Sequence, residues 1–205
     1  MYNVPYIIKS ETITKNDINY IINNQNTYVY IKNNNFNDDF NKLPICVKHL
    51  DIYNLETNKD NIIPTHIKWL HVGNFIDKII IFPTIKILEF YFNNENDNNI
   101  LNILPYGIES IIIHININNY LIIDLDMLPD SIKSIHFVNI SNVNFKIKLN
   151  KIYINLQWIY YNKYKVNNHN EVLEYLSKNY ENKEILQNNT ILLCDNVYNK
   201  IMMEE

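Results

Sequence analysis

Five of the six prolines in this 205-residue chain, at positions 44, 64, 83, 105 and 129, open nearly the same phrase of apolar residues. Three residues after the proline come Val47, Ile67, Ile108 and Ile132; six after it come Leu50, Leu70, Ile111 and Ile135; eight after it come Ile52, Val72, Ile113 and Phe137. The unit at Pro83 runs one residue short, with Ile85, Leu88 and Phe90. Positions six and eight are two apart, so in a strand they point to one side. Proline has a fixed φ and no N–H to donate, which suits a corner just before a strand. One such strand cannot bury its apolar side alone. Stacking turn upon turn gives a continuous core and a parallel sheet. The chain is therefore expected to be a β-rich solenoid.

The phrase continues without proline in both directions. Upstream, Asn23 in the proline position places Val29 and Ile31 in a strand; downstream, Asn150 places Tyr153, Leu156 and Trp158. The repeats then span 23–165. Residues 1–22 are expected to form an N-terminal β cap, a strand or hairpin, and 166–205 a C-terminal α/β cap. In that cap Val172, Leu173, Leu176 and Tyr180 lie at helical spacing, which predicts a helix near 170–180 with Asn170 as N-cap. "TILLCDNVY" follows as one more strand.

"PTHIKWLHVG" at 64–73 resembles the FNIP repeat, a short relative of the leucine-rich repeat found in amoebal proteins and in large DNA viruses of amoebae. The Phe-Asn step of that family is echoed by Phe36-Asn37 and Phe40-Asn41, and its phenylalanine by Phe75 and Phe145. Only Gly73 occupies the family glycine, and Phe75 comes one residue early. The resemblance implies a curved solenoid that binds other proteins, a host protein if the chain is viral, and it brings no catalytic residues. It also agrees with a composition of 39 Asn, 38 Ile and 16 Tyr with no Ala and no Arg, the bias of an AT-rich genome.

Charge and punctuation narrow the function classes. A net charge of −4 with no basic block argues against nucleic acid and anionic membrane as partners. No apolar run approaches the roughly 18 residues of a membrane span, and the N-terminus lacks the pattern of a signal peptide. Two distant cysteines, Cys46 and Cys194, fit a reducing compartment, so a cytoplasmic protein is expected. Two glycines cannot build a phosphate-cradling loop, and no serine has the flanking glycines of a nucleophile elbow. No cofactor is expected.

Function is then sought in positions five and seven of each unit, which should face away from the core. Position five reads His49, Trp69, Ile87, Ser110 and Ser134; position seven reads Asp51, His71, Glu89, Ile112 and His136. Trp69, Ile87 and Ile112, with Tyr53 and Tyr91 near the strand ends, are apolar or aromatic anchors among polar neighbours, the composition of a protein interface. The expected function is therefore non-enzymatic binding of a protein partner on this face. The column Asp51, His71, Glu89, with His49 beside it, also has the ligand types of a metal or acid–base site. An open sheet excludes no water, which disfavours that alternative. A third possibility is a structural part in a larger assembly.

Overall fold

The computed structural model describes residues 4–33, 35–52, 61–73, 79–94, 97–117, 121–139, 145–148, 158–163 and 191–193. It has a parallel, β-rich fold divided into two compact units, Met1–Phe90 and Tyr91–Glu205.

The first unit contains β1 (Tyr6–Ile8), α1 (Lys15–Asn23), β2 (Tyr28–Ile31), β3 (His49–Ile52), β4 (Asn61–Ile62), β5 (Trp69–Val72), β6 (Ile79–Ile80) and β7 (Ile87–Phe92), whose last two residues fall in the second unit. Strands β1, β2, β3, β5 and β7 lie side by side, all parallel, while β4 and β6 pair separately. Register follows the proline alignment. Val29 pairs with Leu50, Leu50 with Leu70 and Leu70 with Leu88 at position six; Ile31, Ile52, Val72 and Phe90 pair in sequence at position eight. All eight side chains are at most 1% exposed. Each aliphatic side chain so buried contributes about 1.5–3 kcal/mol. Such a column is what a parallel sheet needs to bury one face.

Proline acts through a turn. The carbonyls of Pro44 and Pro64 accept hydrogen bonds from Val47 and Ile67 N–H at 2.9 and 3.1 Å. These are i to i+3 bonds, which reverse the chain just before the strand. At the Pro83 unit the matching bond runs from Ile85 N–H to the carbonyl of Phe82, at 3.1 Å. The unit is not short: its turn begins at Phe82, and the proline has moved to the second turn position, where its fixed φ also fits. Phe36 and Phe40, two of the Phe-Asn steps, are buried and stack at 5.3 Å.

The N-terminal segment differs from the expected strand or hairpin. Strand β1 is present, but Lys15–Asn23 is helical. The local cause is a capping box: Thr14 Oγ1 accepts from Asp17 N–H at 3.2 Å, and Asp17 Oδ2 accepts from Thr14 N–H at 2.7 Å. Tyr6 Oη donates to Asp17 Oδ1 at 2.7 Å, tying the helix start to β1. Burial is the largest influence on Asp17 and would raise its pKa, but the bonds from Thr14 and Tyr6 prevail and hold it below the usual carboxylate range. Replacing Thr14 by Ala should cost about 1 kcal/mol, read as a lower urea midpoint; an unchanged midpoint would show that the cap does not hold this helix.

The second unit contains α2 (Asn98–Asn102), β8 (Ser110–Ile115), β9 (Leu121–Asp124), β10 (Ser134–Asn139), β11 (Phe145–Lys148), β12 (Trp158–Lys163) and β13 (Ile191–Leu193). Strands β8, β10, β12 and β13 lie side by side in parallel, and β9 pairs with β11. Ile111 pairs with Ile135 and Ile113 with Phe137, all fully buried, again at positions six and eight. A short 3₁₀ turn, Leu125–Met127, precedes Leu128-Pro129 and is capped by Asp124, just as Phe40–Lys42 precedes Leu43-Pro44 and is capped by Asp39.

One register differs from the sequence reading. Ile135 pairs with Ile159 and Phe137 with Tyr161, so Trp158 stands at position five, beside Ser134, and not at position eight. The proline position is thus Tyr153 and not Asn150, which keeps the interval of 24 residues found between Pro105 and Pro129. Without a proline to mark the corner, nothing local in this stretch fixes the register. The strand expected in "TILLCDNVY" is found as Ile191–Leu193. The helix expected near 170–180, together with Asn170 and Cys194, lies outside the described residues. Among the described residues no helix is long and apolar enough to cross a membrane.

Candidate functional site

On the first unit, the strands β2, β3 and β5 alternate half-buried and buried residues. Their buried residues fill the core, so positions five and seven necessarily face the other way. Position five runs Tyr28, His49, Trp69, Ile87, and position seven runs Tyr30, Asp51, His71, Glu89, each the register partner of the next. Every one of the eight is half-buried. Strand spacing of about 4.8 Å brings side chains of one column into contact.

Position five forms an aromatic stack. The His49 ring lies against Tyr28, with centroids 3.9 Å apart and planes at 1°, and against Trp69, at 4.3 Å and 3°. Rings stacked this way cover each other's faces and turn their edges outward. Position seven supplies the polar partners. Tyr28 Oη donates to Asp51 Oδ2 at 3.1 Å, and Trp69 Nε1 donates to Glu89 Oε2 at 3.3 Å. His71 Nδ1 stands 3.1 Å from Asp51 Oδ1, with both side chains only 14% exposed.

The two histidines have opposite protonation chemistry. Burial dominates at His49 and pushes its pKa down to about 4, against the pull of Asp51 and Glu89. It is a neutral aromatic ring at neutral pH, and its Nε2 is buried without a hydrogen-bond partner. Burial also opposes the charge on His71, yet the bond to Asp51 and the fields of Glu89 and Asp51 prevail and raise its pKa. At Tyr28, burial first and then the Asp51 carboxylate push the phenol pKa well up, so it stays a donor.

Most of the expected residues come together here: His49, Asp51, Trp69, His71, Ile87 and Glu89 form one continuous face. Asp51 and Glu89 lie on strands two apart, on either side of His71, so their backbones are about 10 Å from each other. The column thus flanks the imidazole with a carboxylate on each neighbouring strand. Tyr91 belongs to the second unit, where it stacks on His114 at 4.6 Å. Tyr53 lies outside the described residues.

Ile112 is a correction. Expected on an open face, it is only 5% exposed, and its register partner His136 is 8% exposed. Both members of this register pair are buried, so position seven of the second unit offers a partner little surface. Ser110 and Ser134, at position five, hydrogen-bond at 2.8 Å.

Tyr28 is the residue that sequence reasoning left out. The upstream register that placed Val29 and Ile31 inward also puts Tyr28 at position five, so the signal was present. No family model, curated protein or solved structure matches this chain.

Proposed function

We propose that this protein is a non-enzymatic recognition module, a solenoid of short leucine-rich-like repeats that binds a protein partner on the sheet face of its first unit. The observation that carries this reading is the half-buried stack of Tyr28, His49 and Trp69, braced by hydrogen bonds to Asp51 and Glu89. Ordered aromatic side chains lose little entropy when a partner covers them, and they are enriched at the centres of interfaces. The repeat reading is supported by matching positions pairing from strand to strand, and by the proline turn before β3 and β5. The short pairs β4–β6 and β9–β11 add a second strand to some turns, as a coiled repeat would. The FNIP likeness rests on "PTHIKWLHVG" and the buried Phe36 and Phe40.

Capture from amoebal lysate with wild type, Trp69→Asp and Ile45→Asp tests the proposal. Ile45 is 77% exposed in the proline turn, away from this face, and serves as the control. A direct partner should be depleted about tenfold by Trp69→Asp, the scale of one interface anchor, and retained by Ile45→Asp. Equal recovery of every captured protein by a folded Trp69→Asp chain would remove the sheet face as the binding surface.

A further inference from the structure

His71 has a carboxylate as register partner on each side, Asp51 on β3 and Glu89 on β7. The two carboxylates meet different parts of the ring's surroundings. Asp51 Oδ1 stands 3.1 Å from His71 Nδ1, and its other oxygen, Oδ2, accepts from Tyr28 Oη at 3.1 Å. A carboxylate at Nδ1 fixes the orientation of an imidazole and, once the ring is neutral, the tautomer whose Nε2 carries the lone pair. On the other side, His71 and Glu89 offer ligand atoms no more than 4.8 Å apart. The Glu89 carboxylate is steadied in turn by Trp69 Nε1, which donates to Oε2 at 3.3 Å. An ionised carboxylate has about four lone-pair sites, so one indole bond does not exhaust it.

A nitrogen and an oxygen donor, each braced by a further hydrogen bond, suit zinc better than a hard cation. Zinc holds imidazole nitrogen at about 2.0–2.1 Å and carboxylate oxygen at about 2.0–2.2 Å, and its histidines donate their other N–H to a carboxylate. A small turn of the Glu89 carboxylate brings both donors to one ion. Calcium and magnesium take oxygen ligands. Charge balance points the same way: a single proton on His71 offsets only one of the two carboxylates, whereas a divalent ion beside a neutral ring offsets both. His49 has a ligand's chemistry too, but its ring is held between Tyr28 and Trp69.

We propose that His71 and Glu89 are two ligands of a zinc site on the sheet face of the first unit, with Asp51 as the positioning residue that aims the imidazole. Both ligands are half-buried, so the open face admits water or an added side chain to the remaining coordination positions. The site departs from the expectation of no cofactor. It does not depend on the protein-binding reading, because zinc binding is measured on the chain alone and either can fail without the other.

Equilibrium dialysis of the full chain against zinc, with calcium and magnesium as comparison ions, tests the proposal. Asp51→Asn should weaken zinc binding about tenfold, the scale of losing an outer partner, and His71→Ala and Glu89→Gln at least as much. The double variant Cys46→Ser/His66→Ala removes two other zinc-type side chains, both in proline turns, and should bind within about twofold of wild type. Cobalt in place of zinc gives a visible spectrum that reads the ligand field. Asp51→Asn should shift that band, which a residue needed only for folding would not do; an unchanged band and affinity removes its positioning role. Circular dichroism in chelator identifies the folded variants, and if His71→Ala does not fold, Glu89→Gln, which keeps size and shape, decides. Zinc binding unchanged in the folded ligand variants overturns the proposal. So does absence of zinc binding by wild type, or calcium or magnesium bound as tightly as zinc.

Discussion

Leu70→Ala should lower stability by about 3 kcal/mol, within the range for truncating a fully buried leucine. Leu70 has no exposed surface, and its register partners Leu50 and Leu88 are also fully buried. The cavity would open in the middle of a column whose backbones are fixed by sheet hydrogen bonds on both sides, so collapse around it is limited. The cost should therefore exceed the plain transfer free energy of the lost atoms. Urea unfolding of wild type, Leu70→Ala and Ile45→Ala provides the comparison. Ile45 is 77% exposed, and its truncation should stay within about 0.5 kcal/mol of wild type. A loss below about 1 kcal/mol for Leu70→Ala would mean that position six does not line a close-packed core.

Acidification should destabilise the first unit through His49 before most carboxylates titrate. Its pKa falls from 6.5 in the unfolded chain to about 4 in the fold. Between these values the unfolded chain binds a proton that the folded one refuses, so stability rises with pH across this window. Going down from pH 6.5 to 4, the loss approaches about 3 kcal/mol at 1.36 kcal/mol per pKa unit. Below pH 4 both states carry the proton and the contribution is flat. His71 acts in the opposite sense and in another window: its raised pKa gives stability that is complete below 6.5 and is lost as pH rises through the folded value. Asp17 and Asp38, with lowered pKa values, lose their contributions only as pH falls below the ordinary carboxylate value of 3.8. Urea midpoints of wild type and His49→Phe across this range isolate the effect. The phenylalanine keeps an aromatic ring in the stack and cannot titrate. Parallel pH profiles for the two proteins would show that His49 is not the group responsible.

Much of the core could be read from the sequence because its signal is periodic. Val47, Leu50 and Ile52 recur as Ile67, Leu70 and Val72 at the same distance from a proline, and a parallel sheet must place equal positions side by side. The reading weakened where the marker was missing or displaced. At Pro83 a shift of one turn position made a full unit look short. Beyond Asn150 no proline marks the corner, and the register was set three residues early. Helix α1 was hidden because its cap, Thr14 with Asp17, is a local signal within a stretch where only Ile21 of the helix is buried.

Along the proline-marked units of the first half, the sequence by itself determined which side chains fill the core and which stand on the opposite face, because strand geometry makes that alternation unavoidable. It could not decide how much of that face stays open, since the outward positions are half-buried in the first unit while Ile112 and His136 are buried in the second. Only the tertiary structure shows His49 clasped between Tyr28 and Trp69 while Ile112 and His136 are buried. The physical reason is that burial depends on which side chains meet across strands, which no local pattern states: the flat rings of the first unit stack and stay half-buried, with carboxylates as their hydrogen-bond partners.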